Sequence, residues 1–263
     1  MSEQEIPLHG GNVTGAVRVG ETVRRATGAW SAAIHALLHH LEARGFAGAP
    51  RFLGLDAQGR EMLSFLAGEV GHYPLPPYMW AEEAMLAVAE LIRRYHEAQH
   101  DFVSPVDARW QMVYPDSSRH EVICHNDIAP YNMVYMAGQP RGLIDFDCAG
   151  PGPRAWDLAY AAYRFAPLAH FDDATLVEQG LTDPHMQGER LQLFCDAYGI
   201  SAREVLALVE PRLQTLCTLM VEQARAGNAA FQHMIVTGHL ALYQRELQTL
   251  QRYRPIIEQH LRA

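Results

Sequence analysis

The chain of 263 residues contains no lysine, and all 21 of its basic residues are arginines. Reactions that need a lysine nucleophile or a lysine Schiff base are therefore excluded. Any contact that needs a positively charged side chain must use arginine, whose planar guanidinium binds carboxylates and phosphates through paired hydrogen bonds.

Cysteine is scarce and long apolar runs are absent. No run of about 18 apolar residues occurs, so we expect no membrane-spanning helix. Residues 1–5 are acidic and lack an apolar core, which is atypical of a secretory signal. We therefore expect a cytoplasmic protein without a membrane partner.

The cysteines are far apart and form no C-x-x-C pair, which indicates neither a zinc site nor a disulfide framework: Cys124, Cys148, Cys195 and Cys217.

Acidic residues outnumber basic ones by 30 to 21, so the formal net charge is -9 at pH 7. Proteins that bind nucleic acid generally present a basic surface to the phosphate backbone. We therefore expect no nucleic-acid partner. The negative charge is compatible with a cationic substrate, but it carries little weight because many acidic proteins bind no cationic substrate.

Residues 1–66 are rich in predicted strands and contain one predicted helix. Strands are expected at 16–19 and 22–25, and a hairpin is expected between 50 and 66. Ser31 is predicted to cap a helix that ends near Arg44 and carries apolar residues at helical spacing: Ile34, Leu37, Leu38 and Leu41. This pattern predicts a small β-rich lobe.

A glycine- and proline-rich connector follows at residues 67–77, and helical patterns dominate beyond it. Met79 to His100 has one apolar face, and further helices are expected near 156–168, 187–198, 202–227 and 229–260. Pro211 either kinks one of these helices or marks its start. We therefore predict an α+β fold with two lobes, residues 1–66 for nucleotide binding and residues 67–263 for catalysis and substrate.

The stretch from Glu121 to Ala159 carries the polar residues that indicate a site. Short strands are predicted at 122–124, 133–135 and 142–144, and the acids and the amide lie at the strand ends. Asn132 follows Asp127 by five residues, and Asp145 follows Asn132 by thirteen. In phosphoryl transfer, one Asp accepts the proton of the attacking hydroxyl, while an Asn and a second Asp hold Mg²⁺. Asp127, Asn132 and Asp145 supply these roles in that order.

The segment H-N-D-I-A-P-Y-N, followed by L-I-D-F-D and W-D-L-A, resembles the aminoglycoside phosphotransferase and choline kinase group. The resemblance implies a protein-kinase-like fold, with Asp127 as the catalytic base, Asn132 and Asp145 as metal ligands, and Asp157 as a buried acid that steadies the catalytic loop. It covers roughly residues 8–165. His125 is interpreted as a packing residue of the loop. Asp147 is either a second metal contact or a capping acid.

The same resemblance implies where the nucleotide binds. Contacts are expected from a glycine turn and from a hinge between the lobes: Gly10, Gly11, Asn12, Ser64, Phe65 and Leu66. The group often uses a phosphate-binding lysine on the third strand, where this chain has Arg24 and Arg25. Strand alternation places these two side chains on opposite faces and leaves the choice open. The usual acid on the next helix is also missing, with His35 and Glu42 as imperfect substitutes.

We therefore predict a Mg²⁺-dependent phosphotransferase that uses ATP or GTP and acts on a hydroxyl of a small molecule. An aminoglycoside or another amino-alcohol-like compound is the acceptor class that the resemblance implies. The alternative is a catalytically silent, kinase-like module that binds a ligand or serves as a scaffold, motivated by the absent lysine and helix acid. The sequence does not indicate an oligomeric state.

Overall fold

The computed structural model describes residues 4–8, 15–170 and 174–262. The chain divides into two compact units. One unit comprises Met1–Leu75 and Glu90–Arg154, and the other comprises Pro76–Ala89 and Ala155–Ala263. The division into lobes after residue 66 stays a prediction.

The first unit contains an antiparallel sheet that the described residues form from five strands in the order β1-β2-β3-β5-β4. The strands are β1 (Ile6–Leu8), β2 (Ala16–Val19), β3 (Thr22–Arg25), β4 (Phe52–Leu55) and β5 (Glu61–Ser64). A turn with Gly20 at φ 58° joins β2 to β3. Asp56 Oδ1 accepts backbone hydrogen bonds from Gln58 and Arg60 in the turn between β4 and β5. The predicted strand pattern is thus found, with β1 in addition.

Helix α1 (Ser31–Ala43) connects β3 to β4. Its apolar face is buried as the spacing predicts, since the side chains at this face are at most 1 % exposed: Ile34, Leu37, Leu38 and Leu41. Trp30 occupies the N-cap position instead of Ser31, whose hydroxyl accepts a hydrogen bond from the Gly28 amide. Burial of one face fixes the orientation of α1, including its polar residue His35.

Two small sheets carry the central polar segment in the same unit. One pairs β7 (Val122–Cys124) with β10 (Gly150–Gly152), and the other orders β6 (Glu69–Val70), β8 (Met133–Met136) and β9 (Gln139–Leu143) as β6-β8-β9. The β8–β9 hairpin turns at Ala137 and Gly138, both with positive φ, as a two-residue primed turn requires. The hairpin was predicted, whereas β6 and β10 were not.

The second unit is helical among its described residues. Its helices are α2 (Pro77–Trp80), the start of α3 (Glu82–Glu97), α4 (Arg154–Phe165), α5 (Ala174–Glu178), α6 (Pro184–Tyr198), α7 (Ala202–Arg225), α8 (Ala229–Val236) and α9 (His239–Glu258). The single helix predicted over 79–100 is broken by the extended backbone of Ala81, and the one over 229–260 is broken at Gly238 (φ 92°). Helix α7 continues through Pro211, so that proline does not mark a helix start.

Helix α4 is buried along almost its whole length, and its polar atoms are satisfied by one another and by α9. Arg164 donates hydrogen bonds to the hydroxyls of Tyr243 (2.6 Å) and Tyr160 (3.0 Å). The Tyr163 hydroxyl hydrogen-bonds to the Glu246 carboxylate, which also lies 2.7 Å from His170 Nδ1. Burial raises the pKa of Tyr163 well above its ordinary value. This polar cluster is therefore part of the core of the second unit.

None of the helices in the described part of the chain is long and apolar enough to cross a membrane.

Candidate active site

The predicted catalytic loop lies between β7 and β8, and its two principal side chains are hydrogen-bonded. Asn132 Nδ2 donates to Asp127 Oδ2 at 2.8 Å and to the Asp127 carbonyl at 3.0 Å. The Tyr131 hydroxyl donates to the other carboxylate oxygen, Asp127 Oδ1, at 2.9 Å. Both oxygens of the half-buried carboxylate are thus oriented. Because its amide nitrogen faces Asp127, Asn132 keeps its Oδ1 for another partner.

His125 joins the catalytic loop to the segment after β9. Its Nδ1 accepts a hydrogen bond from the Asp127 amide at 3.3 Å, so Nε2 carries the proton and donates to the Ile144 carbonyl at 3.0 Å. The ring is fully buried and its centroid lies 4.6 Å from that of Phe146. His125 therefore packs and hydrogen-bonds within the loop, as its position predicted.

Asp145 adopts a left-handed backbone conformation, with φ 64° and ψ 64°. Asp tolerates this region better than most residues, although the conformation costs about 1 kcal/mol or more. The Ile144 amide donates to the Asn132 carbonyl at 3.0 Å, which holds Asp145 beside the end of the catalytic loop. The Asp145 side chain keeps 41 % of its surface exposed. Its carboxylate therefore remains open to a ligand.

Arg25 at the end of β3 contacts three carboxylates at once. Its Nε donates to Glu61 Oε1 at 2.5 Å, its Nη1 to Asp145 Oδ1 at 2.8 Å, and its Nη2 to Asp147 Oδ1 at 2.7 Å. The guanidinium is 8 % exposed. Buried, charge-assisted hydrogen bonds of this kind are stronger and more directional than surface ion pairs. Arg25 is thereby fixed with its two terminal nitrogens toward Asp145 and Asp147.

Glu61 and His35 complete this cluster. Glu61 is the cross-strand partner of Arg25 in the β3–β5 register and is 1 % exposed. The His35 Nε2 atom on α1 lies 2.6 Å from Glu61 Oε2, and its ring stacks on Phe52 with centroids 3.6 Å apart. The acid beside the arginine is thus Glu61 on strand β5, whereas helix α1, which lacks the expected acid, contributes the imidazole of His35.

Two acids of this cluster, Glu61 and Asp147, have shifted pKa values. Burial acts to raise the pKa of Glu61, but the hydrogen bond with His35 and the charge of Arg25 outweigh it and lower that pKa. Burial raises the pKa of Asp147 against the charge of Arg25, and the neighbouring Asp145 charge adds to the rise. Asp147 also accepts a hydrogen bond from Trp30, at the N-terminus of α1. The cluster thus holds more negative charge than Arg25 alone balances.

Arg24 lies on the opposite face of β3. Its Nη1 is 3.8 Å from Asp56 Oδ2, in the turn between β4 and β5. Arg25 thus contacts Asp145, whereas Arg24 lies beside Asp56. The roles predicted for Arg24 and Arg25 at the nucleotide stay predictions.

The remaining predicted nucleotide contacts lie at the end of β5 and just after it, or outside the described residues. Ser64 Oγ accepts a hydrogen bond from the Arg51 amide at 2.8 Å, and the Phe65 amide donates to the Glu21 carbonyl at 2.9 Å. Leu66 is half-buried. These roles stay predictions, as do those of three residues that fall outside the described part of the chain: Gly10, Gly11 and Asn12. Asp157 is fully buried as predicted, and its effect on the catalytic loop stays a prediction.

The donor atoms at the site fit a Mg²⁺ ion. Hard carboxylate and amide oxygens are the ligands that Mg²⁺ prefers, and Asn132 Oδ1 with the exposed Asp145 carboxylate offers them. Three carboxylates share the single guanidinium of Arg25, which leaves negative charge for a further cation. Asp145 uses Oδ1 for Arg25, so Oδ2 remains for a metal ion.

Sequence reasoning missed Glu61 and assigned Tyr131 no contact. Glu61 and Leu63 share the buried face of β5. A charged residue at a buried strand position is a signal for a paired cation. Its pairing with Arg25 depends on the register between β3 and β5, which the sequence does not give.

Solved structures of other proteins share the fold of this chain. A choline/ethanolamine kinase family protein from Mesorhizobium loti superposes with a TM-score of 0.62 at 14 % identity, covering 98 % of this chain and 93 % of its own. The GDP complex of aminoglycoside 2'-phosphotransferase-IIIa gives 0.57 at 15 % identity, covering 99 % and 93 %. Plasmodium vivax ethanolamine kinase gives 0.58 at 12 % identity, covering 93 % and 84 %. The predicted α+β, protein-kinase-like fold is confirmed.

Sequence comparison identifies the family. The model of the phosphotransferase enzyme family matches residues 19–191. A trifolitoxin immunity protein from Rhizobium leguminosarum bv. trifolii is 36 % identical over 225 residues, which cover 84 % of this chain and 84 % of the relative. The chain therefore belongs to the phosphotransferase enzyme family, and the prediction of a phosphotransferase is confirmed.

Proposed function

We propose that the protein transfers the γ-phosphate of ATP or GTP to a hydroxyl group of a small molecule in a Mg²⁺-dependent reaction. The observation that carries this proposal is a series of contacts: Asn132 donates to Asp127, the Asn132 carbonyl accepts from the amide of Ile144 next to Asp145, and Arg25 donates to Asp145. Phosphoryl transfer depends mainly on positioning and charge neutralisation, and this series provides groups for both.

Asp127 is the proposed base. As the acceptor oxygen bonds to the γ-phosphorus and the bond to the β-phosphate oxygen breaks, the Asp127 carboxylate takes the hydroxyl proton. Tyr131 and Asn132 each hydrogen-bond to one oxygen of this carboxylate and so fix its orientation. The nucleoside diphosphate then leaves with the β-phosphate oxygen.

The other residues bind the phosphates and the metal ion. Asn132 Oδ1 and Asp145 would hold Mg²⁺, which neutralises phosphate charge when bound. Arg25 supplies the positive charge that a lysine gives in many relatives, and its terminal nitrogens suit phosphate oxygens. An aminoglycoside or another amino-alcohol-like compound is the proposed acceptor, and the cytoplasm is the proposed location. The choice of ATP or GTP is left to the experiment.

Labelled phosphate transfer tests this function. The full chain is incubated with Mg²⁺ and γ-labelled ATP or GTP, together with aminoglycosides, ethanolamine, choline and a small-molecule cell extract. Label is expected in an acceptor with the wild-type protein and not with Asp127→Asn. Tight nucleotide binding without any labelled product would instead favour the catalytically silent alternative.

A second candidate function is immunity to a toxin, motivated by the 36 % identical trifolitoxin immunity protein. In this case, the toxin itself would be the phosphate acceptor. Expression in a trifolitoxin-sensitive strain separates the candidates: protection by the wild-type chain but not by Asp127→Asn supports a phosphorylated toxin. Absence of protection removes this candidate and leaves the first one standing.

A further inference from the structure

Arg25 is bonded at its Nε atom to Glu61, and Glu61 is bonded in turn to His35. Glu61 takes the Nε side of the guanidinium, at 2.5 Å, and leaves both terminal nitrogens for other groups. Those nitrogens contact Asp145 and Asp147. A guanidinium anchored at Nε can turn only about that contact, so Glu61 sets the direction in which the other two nitrogens point.

His35 connects the same contact to α1. Its Nε2 lies 2.6 Å from the second oxygen of Glu61, and its ring is stacked on Phe52 at an interplanar angle of 10°. With both oxygens engaged, the Glu61 carboxylate has a fixed orientation in its buried position. We name the series His35, Glu61 and Arg25 the arginine relay.

We propose that Glu61 and His35 are positioning residues, which set Arg25 for the phosphates and couple that setting to helix α1. This inference rests on the proposed function. The relay differs from a direct contact between a strand cation and a helix acid, because the acid lies on β5 and the helix reaches it through an imidazole. Neither residue touches the reacting atoms, and both act through Arg25.

Helix α1 has a second contact with the same group of acids. Trp30, at its N-cap, donates a hydrogen bond to Asp147, which also accepts from Arg25 Nη2. The helix therefore reaches two of the three carboxylates around Arg25, Glu61 through His35 and Asp147 through Trp30. A shift of α1 would move these two partners of the guanidinium and should therefore change the affinity for the nucleotide.

Four variants separate the relay from general packing. Glu61→Gln keeps the shape and removes the charge. His35→Phe keeps the stacking on Phe52 and removes the hydrogen bond, while His35→Gln keeps an N–H donor and removes the stacking. Glu42→Gln is the control, because this helix acid, considered from the sequence as a substitute partner of the cation, is 44 % exposed and lies 3.8 Å from Arg51 and outside the relay.

The measurement is the kcat and KM for the Mg²⁺-nucleotide and for the acceptor, with circular dichroism to confirm folding. Misplacing a phosphate contact by a fraction of an ångström lowers rates strongly, so Glu61→Gln should reduce kcat/KM for the nucleotide by about 100-fold. His35→Phe should reduce it by about 10-fold and His35→Gln by less than about 3-fold, while the acceptor KM changes less than about 3-fold in each variant. Glu42→Gln should match the wild type.

The results that overturn the relay differ from those that overturn the function. Folded Glu61→Gln with wild-type kcat/KM, or equal losses in His35→Phe and His35→Gln, refutes the relay while transfer by the wild type continues. If no acceptor is phosphorylated, equilibrium binding of Mg²⁺-nucleotide replaces kinetics and the same ranking of affinities is expected. A wild-type chain that binds no nucleotide refutes the function and the relay together.

Discussion

Arg25 Nη1 lies 2.8 Å from Asp145 Oδ1, although 120 positions separate the two residues in the chain. The contact brings the cation at the end of β3 to the acid proposed to hold the metal ion. One guanidinium can therefore hydrogen-bond both to the proposed metal ligand Asp145 and to the phosphates of a nucleotide. The ammonium group of lysine lacks the planar set of donors needed to contact both.

Replacing Arg25 by lysine should impair nucleotide use. The ammonium keeps the charge but cannot hydrogen-bond to three separate carboxylates in the planar arrangement of Arg25. We expect kcat/KM for the nucleotide to fall about 100-fold. Steady-state kinetics with varied nucleotide measure this effect.

The matched variant is Arg24→Lys, on the opposite face of β3 beside Asp56. We expect its loss to be under about 3-fold, because side chains on opposite faces of a strand reach different partners. Similar losses in the two variants would mean that the contact between Arg25 and Asp145 does not determine phosphate binding.

Asp145→Asn should raise the Mg²⁺ concentration required for half-maximal activity by about 10-fold or more, since an amide is a weaker ligand than a carboxylate. Asp147→Asn should change that requirement by less than about 3-fold, because its carboxylate is occupied by Arg25 and Trp30. Titration of activity with Mg²⁺ measures both. An equal rise for Asp147→Asn would make Asp147 a second metal ligand.

Acid should weaken the wild-type protein more than Glu61→Gln. The pKa of Glu61 is lowered in the folded protein, so its ionised form contributes stability above the ordinary glutamate value of about 4.5. That contribution is lost as the pH falls through the folded pKa. The raised pKa of Asp147, to which the charge of Glu61 contributes, acts in the opposite sense and reduces the total effect.

Urea unfolding of the two proteins at pH 7 and at pH 4 measures the difference. The wild-type advantage in unfolding free energy should be smaller at pH 4 than at pH 7. An advantage that does not change with pH would show that Glu61 acts through packing alone.

Removing the single charge of Glu246 from the polar cluster in the second unit should lower the stability of the protein. Glu246→Gln disrupts buried contacts with His170 and Tyr163 and should lower the free energy of unfolding by about 2–3 kcal/mol. Glu258→Gln on the same helix removes an exposed ion pair with Arg254 and should cost less than about 1 kcal/mol. Chemical denaturation checks this, and equal costs would argue against a structural role for the buried cluster.

Local sequence patterns predicted much of the fold and part of the site. The buried faces of α1 and α3 follow from helical spacing, and residues such as Leu37 and Val88 are fully buried. Asp127, Asn132 and Asp145 were predicted as site residues from their spacing, because all three lie next to strands of one short segment. Each of these inferences depends on residues close together in sequence.

What the sequence did not reveal depends on long-range pairing. Glu61 meets Arg25 only through the register of β3 on β5, and β10 pairs with β7 through three residues of little strand character, Gly150–Gly152. In these places tertiary contacts, and not local preference, determine the structure.

The most direct test of phosphoryl transfer is the rate of the chemical step in Asp127→Asn. With saturating nucleotide and an acceptor found in the labelled screen, wild-type and variant proteins are compared in single-turnover experiments, and nucleotide affinity is measured separately. Loss of the base should slow transfer by about 100- to 10,000-fold while nucleotide affinity changes less than about 3-fold. Equal single-turnover rates in the two proteins would contradict the role of Asp127 and the mechanism built on it.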